Sequence, residues 1–156
     1  MKERQSGFSL IELLIVVAII LIIAAIAIPN LMKSRMAANE SSAVGSVRTL
    51  NTAEVTYAVS CPNVGYSASL AELNIGAACA GGTGIIDNVL ATGTKSGYTF
   101  TYTPVAANGL NTTYTTVAVP LTVGTTGQRG FFSNQTAVIR YSLSGAAPTV
   151  TSSALQ

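Results

Sequence analysis

The sequence predicts an α+β protein in which one long N-terminal α-helix packs on a C-terminal antiparallel β-sheet of three to four strands. Three features carry that reading. Apolar residues run unbroken from Leu13 to Ile28, a stripe at helical spacing follows from Met36 to Ala58, and from Gly97 onward the period falls to two. The boundaries that follow are residues 1–7 as a leader, 8–29 as an apolar helix and 30–156 as one domain. Within the domain, 30–61 is helix, 62–96 a connector and 97–156 the sheet.

Composition excludes several classes of function. The chain has 156 residues, 9% of them charged, and a formal net charge of +2. That charge is too small for a nucleic-acid footprint, and the basic residues form no run among aromatics, so no specific nucleic-acid partner is expected. The sequence contains no His, and its acidic residues are dispersed singly. No acid–base or nucleophile–base pair can be drawn from them, so no enzyme and no cofactor are expected. Cys61 and Cys79 are too few for a cysteine-based metal site. In an oxidising compartment they would pair and stabilise the domain by roughly 3 kcal/mol, whereas in the cytosol they would stay as thiols.

The N-terminal segment has a basic leader with Lys2 and Arg4, then the junction Gly7-Phe8, then the apolar stretch. An ordinary secretory signal is cut after its apolar region. Here Pro29, Asn30 and Lys33 follow Ile28, so the apolar helix is expected to stay on the mature chain. As a helix, Phe8–Ile28 would span about 31 Å at roughly 1.5 Å per residue, close to the roughly 30 Å of a bilayer core. The basic leader predicts a cytoplasmic N-terminus, with the residues after Pro29 on the far side. Glu12 is the lone charge between Phe8 and Ile28. An unpaired carboxylate in such a place costs on the order of 2.5–3.5 kcal/mol, which a plain anchor would have no reason to bear. A cut before Phe8 would create an α-amino group one turn away, and pairing between neighbouring chains would fix their stagger.

Gly7-Phe8-Ser9-Leu10-Ile11-Glu12-Leu13 resembles the processing and methylation motif of type IV prepilins and type II secretion pseudopilins, and the chain is most like a type IVa major pilin. The resemblance implies a prepilin peptidase that cuts between Gly7 and Phe8 and N-methylates Phe8. It implies docking of Glu12 against the mature N-terminus of an adjacent subunit in a helical homopolymer, built by an assembly platform and an ATPase. It also implies a single-pass inner-membrane precursor and a cell-surface filament. Ser9 stands where Thr is commoner, and Pro29 matches a proline often found at the end of this region. Two alternatives belong to the same superfamily: a pseudopilin of a type II secretion system, or a minor pilin for priming or DNA uptake. Major pseudopilins typically hold calcium with carboxylates near the C-terminus, and this chain has no Asp or Glu after Asp87.

Further along, Met36, Ala43, Val47, Leu50, Tyr57 and Ala58 form the apolar stripe, with Glu40, Arg48 and Asn51 read as lying off it. Glu54 falls inside the stripe, where two readings stay open: a partner in Arg129 or Arg140 from the sheet, or a place at the stripe's edge. Pro29 should loosen the helix, and Pro62 should end it after Cys61. Ser69-Leu70-Ala71-Glu72 has the form of a capping box for a short helix ending near Gly76. The Gly81–Gly84 cluster lacks the Lys-Ser/Thr ending of a phosphate loop. Tyr98, Phe100 and Tyr102 alternate with threonines as a half-buried strand, and Asn108-Gly109 signals a hairpin. Thr113–Leu121 is the second strand, with Val117, Val119 and Leu121 on its apolar face, and Pro120 near its end. Gly124–Gly130 reads as a loop and Ala137–Leu143 as the third strand. The second half of the helix is the only cover for the sheet. Asn39-Glu40-Ser41, Asn111-Thr112-Thr113 and Asn134-Gln135-Thr136 match the N-glycosylation pattern, which chance readily supplies in a Thr-rich chain.

Overall fold

The computed structural model describes residues 8–75 and 84–155. The expected leader, Cys79, Gly76 and most of the glycine cluster lie outside them. The chain divides after Arg35 into two units. Helix α1, Leu10–Ser60, is 51 residues long and contributes to both.

In the first unit α1 is apolar on every side from Leu13 to Ile28. Leu10, Val16, Ile20, Leu21 and Ile28 are all exposed, and the helix is long and apolar enough to cross a membrane. A surface of this kind belongs in lipid or against other helices. The helix continues through Pro29. Proline removes one backbone donor there, and next to it the Asn30 side chain donates to the Ile26 carbonyl at 3.1 Å.

In the second unit the helix buries Ala43, Val47, Leu50, Ala53 and Tyr57. Met36 and Ala58 are half-buried, so the predicted stripe is present with softer ends. Glu40 and Asn51, read as lying off the stripe, are buried. The helical period gives the reason: Glu40, Val47 and Glu54 recur every two turns and share one face. The helix ends at Ser60, before Pro62, and the Cys61 carbonyl accepts the N–H groups of Val64 and Gly65.

Among the described residues two short helices follow: α2, Leu70–Ile75, and α3, Asn88–Ala91. Ser69 Oγ accepts the Glu72 N–H at 3.3 Å, one half of the expected capping box. The Glu72 carboxylate takes the Ala68 N–H at 2.8 Å instead of that of Ser69. Asp87 caps α3 by accepting the Leu90 N–H.

Among the described residues the sheet has six antiparallel strands in the order β1-β2-β3-β4-β5-β6, where three to four were expected. They are β1 Thr94–Lys95, β2 Tyr98–Ala107, β3 Leu110–Pro120, β4 Gly130–Asn134, β5 Arg140–Ser142 and β6 Ser153–Ala154. Two-residue strands such as β1 and β6 are too short to display a period. β4 escaped because Gly130, Phe131, Phe132 and Ser133 are all buried, so no alternation marks it. The third predicted strand contracts to β5, and Leu143 is exposed.

The β2–β3 hairpin turns at Asn108 and Gly109 with φ of 53° and 80°. Positive φ at both central residues is the type I′ signature of Asn-Gly. Between Val105↔Thr113 and Ala106↔Asn111 the register shifts, leaving Thr112 as an extra residue on β3. This bulge overturns the predicted core face. A one-residue slip exchanges the two faces of a strand. Beyond the bulge Phe100 lies opposite Ala118 and Tyr102 opposite Thr116. The core therefore receives Tyr114, Thr116 and Ala118, while Val117 and Val119 lie half-exposed on the other face.

That assignment predicts asymmetric tolerance. Val119→Thr should cost under about 1 kcal/mol. Ala118→Leu, at a site with 0% exposure, should cost about 1–3 kcal/mol by overpacking. Thermal unfolding of the two variants checks this, and the reverse order would return the valines to the core.

Candidate functional site

The first turn of α1 holds the residues that the sequence singles out. Ser9 precedes the helix, and its carbonyl accepts the Leu13 N–H at 3.2 Å. Glu12, in the first turn, reaches back, and its Oε2 accepts the Ser9 backbone N–H at 2.9 Å. This is the carboxylate half of a capping box, at the end of the helix where negative charge is favourable. Among the described residues Glu12 forms no ion pair, and its Oε1 accepts no hydrogen bond. One oxygen is thus held by the chain's own backbone while the other stays open. Phe8 is exposed immediately before this turn, and Gly7 lies outside the described residues.

The sequence around this turn has counterparts. Residues 2–28 match the family described as the prokaryotic N-terminal methylation motif. The chain resembles the type IV major pilin protein PilA of Myxococcus xanthus, with 50% identity over 36% of this chain and 26% of that protein. It is 56% identical to the type IV wide pilus major component PilA4 of Thermus thermophilus, over 25% of this chain and 30% of the relative. The N-terminal segment carries that motif, and the chain is similar to type IV pilins. Type II secretion system core protein G of Aeromonas hydrophila is also similar, with 40% identity over 33% of this chain and 36% of that protein. The matched stretches span only about a quarter to a third of the relatives' lengths. No solved structure gives a significant match.

The rest of the pilin-like architecture, α1 followed by an antiparallel sheet, shows how the second unit is held together. Glu40 is the anchor. Its Oε1 accepts the backbone N–H groups of Gln128 and Arg129 at 2.8 and 3.1 Å, and its Oε2 pairs with Arg129 Nε at 2.7 Å. Burial by itself raises the Glu40 pKa. The Gln128 N–H, the Arg129 guanidinium and the Arg129 N–H together outweigh burial and hold it below the ordinary value. Arg129 also lies over the Phe131 ring, 5.6 Å from its centroid.

The expected Arg129 or Arg140 partner for Glu54 is therefore a misassignment. Arg129 serves Glu40, and Arg140 donates to the Ser152 carbonyl. Glu54 is 0% exposed and is held by the connector instead. Ser67 donates to it from its backbone N at 3.0 Å and from its hydroxyl at 2.6 Å. Tyr102 donates to the Ser67 carbonyl at 3.0 Å. Burial is the main reason that the Glu54 pKa is raised; the charge of Glu72 adds to it, and the Ser67 and Tyr102 hydrogen bonds oppose it. Nearby, Asn51 joins helix to sheet, donating to Ser133 at 2.9 Å and accepting from Tyr114 at 3.1 Å.

Sequence reasoning thus named Glu54 and missed Glu40 and Asn51. The available signal was the shared face of Glu40 and Glu54. Cys61 is buried, and no described cysteine is free, while Cys79 lies outside the described residues. Pro29 and Cys61 are remote in sequence from the first turn and play no part in its geometry.

The two buried acids should titrate with opposite effects on stability. Glu40, with a lowered pKa, contributes stability above its unfolded value, and that contribution is lost as pH falls through the folded one. Glu54, with a raised pKa, contributes fully below its unfolded value, and that contribution is lost as pH rises through the folded one. Glu40→Gln should cost about 1 kcal/mol at neutral pH, allowing for the solvent-screened side of Arg129, and should approach wild type in acid. Glu54→Gln should gain on wild type as pH rises. Melting curves of the full chain in detergent from acid to neutral pH test both signs.

Proposed function

We propose that the chain is a structural subunit of a type IV pilus-like filament. A prepilin peptidase cuts it between Gly7 and Phe8 and N-methylates Phe8, and the mature chain then polymerises with copies of itself through α1. The observation that carries this reading is Glu12, one carboxylate on an otherwise apolar and exposed helical surface, held among the described residues only by a backbone donor of its own first turn. Cleavage would place a cationic amine on Phe8, adjacent to the Ser9 N–H that already fixes the carboxylate. A charge-assisted bond to an ammonium is roughly twice as strong as a neutral one. The open Oε1 suits an amine from a neighbour, which would set the axial stagger of successive subunits.

Before assembly the apolar helix would lie in the inner membrane, with its N-terminus cytoplasmic and the domain on the far side. Leaving lipid for other helices exchanges one apolar environment for another and supplies little net drive. An ATPase and an assembly platform are the partners that such a step requires. In a water-facing fibre, burial of the same helix would then resist dissociation. The outward face of α1 in the domain also tolerates dehydration. Thr49, Thr52 and Thr56 donate to helix carbonyls one turn back at 3.1, 3.1 and 2.9 Å, so their hydroxyls need no water. On the oxidising side, Cys61 and Cys79 would pair and close the connector loop, stabilising it by roughly 3 kcal/mol.

A second reading, a secretion pseudopilin, draws on the likeness to the Aeromonas protein. The sequence after Asp87 offers no carboxylate for a calcium site, which favours the pilin. Mass spectrometry of the filament subunit should give a chain beginning at N-methyl-Phe8 with both cysteines oxidised, and a subunit still beginning at Met1 would overturn the processing. Glu12→Ala should insert into the membrane normally and yield few or misregistered fibres, whereas wild-type fibre yield from that variant would remove the role of Glu12. The fibres should also persist in a calcium chelator.

A further inference from the structure

Three Asn-x-Ser/Thr triplets occur in the chain, and the fold treats them differently. Transfer of a glycan to asparagine needs an accessible loop, a free amide nitrogen and the hydroxyl two residues on. Asn39 lies within α1, and its Nδ2 donates to the Thr126 carbonyl at 2.9 Å. Asn111 lies in β3, and its Nδ2 donates to the Tyr66 carbonyl at 2.9 Å. Both amides are committed to joining elements, and both sit in regular backbone.

Asn134 differs in its amide nitrogen and in the exposed turn that follows it. It ends β4, and residues Gln135 to Val138 are exposed in the turn towards β5. The Ala137 N–H returns to the Asn134 carbonyl at 2.8 Å, with Ala137 at a φ of 59°. The Asn134 side-chain Oδ1 accepts the Thr136 hydroxyl at 2.6 Å and the Thr136 N–H at 3.1 Å. This is an Asx-type turn. Among the described residues Asn134 Nδ2 makes no hydrogen bond. Two donors on Oδ1 draw electron density towards oxygen, favour the imidate-like form and ease loss of an Nδ2 proton.

We propose that Asn134 is an N-glycosylation site, the acceptor for an oligosaccharide activated at its anomeric carbon by polyprenyl diphosphate. In the transfer, Nδ2 forms a bond to the anomeric carbon and gives up one proton to a base of the transferase. The bond from that carbon to the diphosphate oxygen breaks, and polyprenyl diphosphate leaves with the electron pair. No oxidant or reductant is involved. The proposal rests on the reading that the domain is carried across the membrane, where a lipid-linked donor and a membrane transferase can reach an already folded hairpin loop.

Peptide mapping by mass spectrometry of filament subunits from the native cell is the test. The peptide containing Asn134 should carry a glycan, and those containing Asn39 and Asn111 should be bare. Asn134→Gln and Thr136→Val should reduce occupancy to undetectable levels, while Thr136→Ser, which keeps the hydroxyl, should retain it; all three should melt like wild type. A bare Asn134 on a subunit that begins at N-methyl-Phe8 would overturn this inference and leave the filament reading intact. Persistence of the glycan in Thr136→Val, or its presence at Asn39 or Asn111 instead, would equally overturn it. A glycosylated Asn134 on subunits that retain Met1 would support the site and defeat the filament reading.

Discussion

A carboxylate on an apolar helix must find a donor, and in this chain the first donor it finds is its own backbone. Glu12 holds the Ser9 N–H, so the charge is tolerated in a surface otherwise made for lipid. One backbone hydrogen bond offsets only part of the desolvation of a carboxylate. Among the described residues nothing else meets the remaining demand, and an amine could satisfy it. A carboxylate paired across chains, as proposed, would select one register, whereas an all-apolar surface would pack equally well in many.

The second half of the same helix meets the opposite problem. There the surroundings are protein, and two acids are carried into the interior on one face. Glu40 is answered by a cation and two backbone donors from the β3–β4 loop. Glu54 is answered by neutral donors of the connector. Buried charges specify arrangement better than they stabilise it. The two acids tie two separate loops to defined positions along α1, which an apolar stripe alone would leave free to slide. Asn51, bonded to both β3 and β4, adds a third fixed point between them.

Much of this was legible in sequence because it follows from period and composition. The apolar run, the helical stripe, the Tyr98–Tyr102 alternation and the Asn108-Gly109 turn each state their structure locally. What escaped was non-local. Nothing near Thr112 announces a bulge, yet that one residue decides which face of β3 is buried. A straight ladder from the same turn would have put Val117 and Val119 inside, as their hydrophobicity suggests. Tyr114 explains the preference for the observed register. Its ring stacks on Tyr102 at 5.7 Å, and its hydroxyl reaches Asn51. These gains depend on β2, β3 and α1 being in place together. The partner of Glu54 was misassigned for a related reason. Sequence offers charges as partners for charges, whereas a buried carboxylate is also satisfied by an amide and a hydroxyl that carry no sign.

The two halves of α1 face different physical requirements, and the matched methylation motif, residues 2–28, runs into the first. A helix that is apolar and exposed on every face, as from Leu13 to Ile28, must suit its surroundings on every face at once. A sheet facing α1 needs only to cover one stripe and to meet Glu40, Asn51 and Glu54 with suitable donors. Many sequences can do that, since a backbone N–H or any hydroxyl serves. The physical requirement is strict where the helix has no protein of its own to lean on and permissive where it does. A chain built this way can change the sheet surface it presents while keeping its apolar helix.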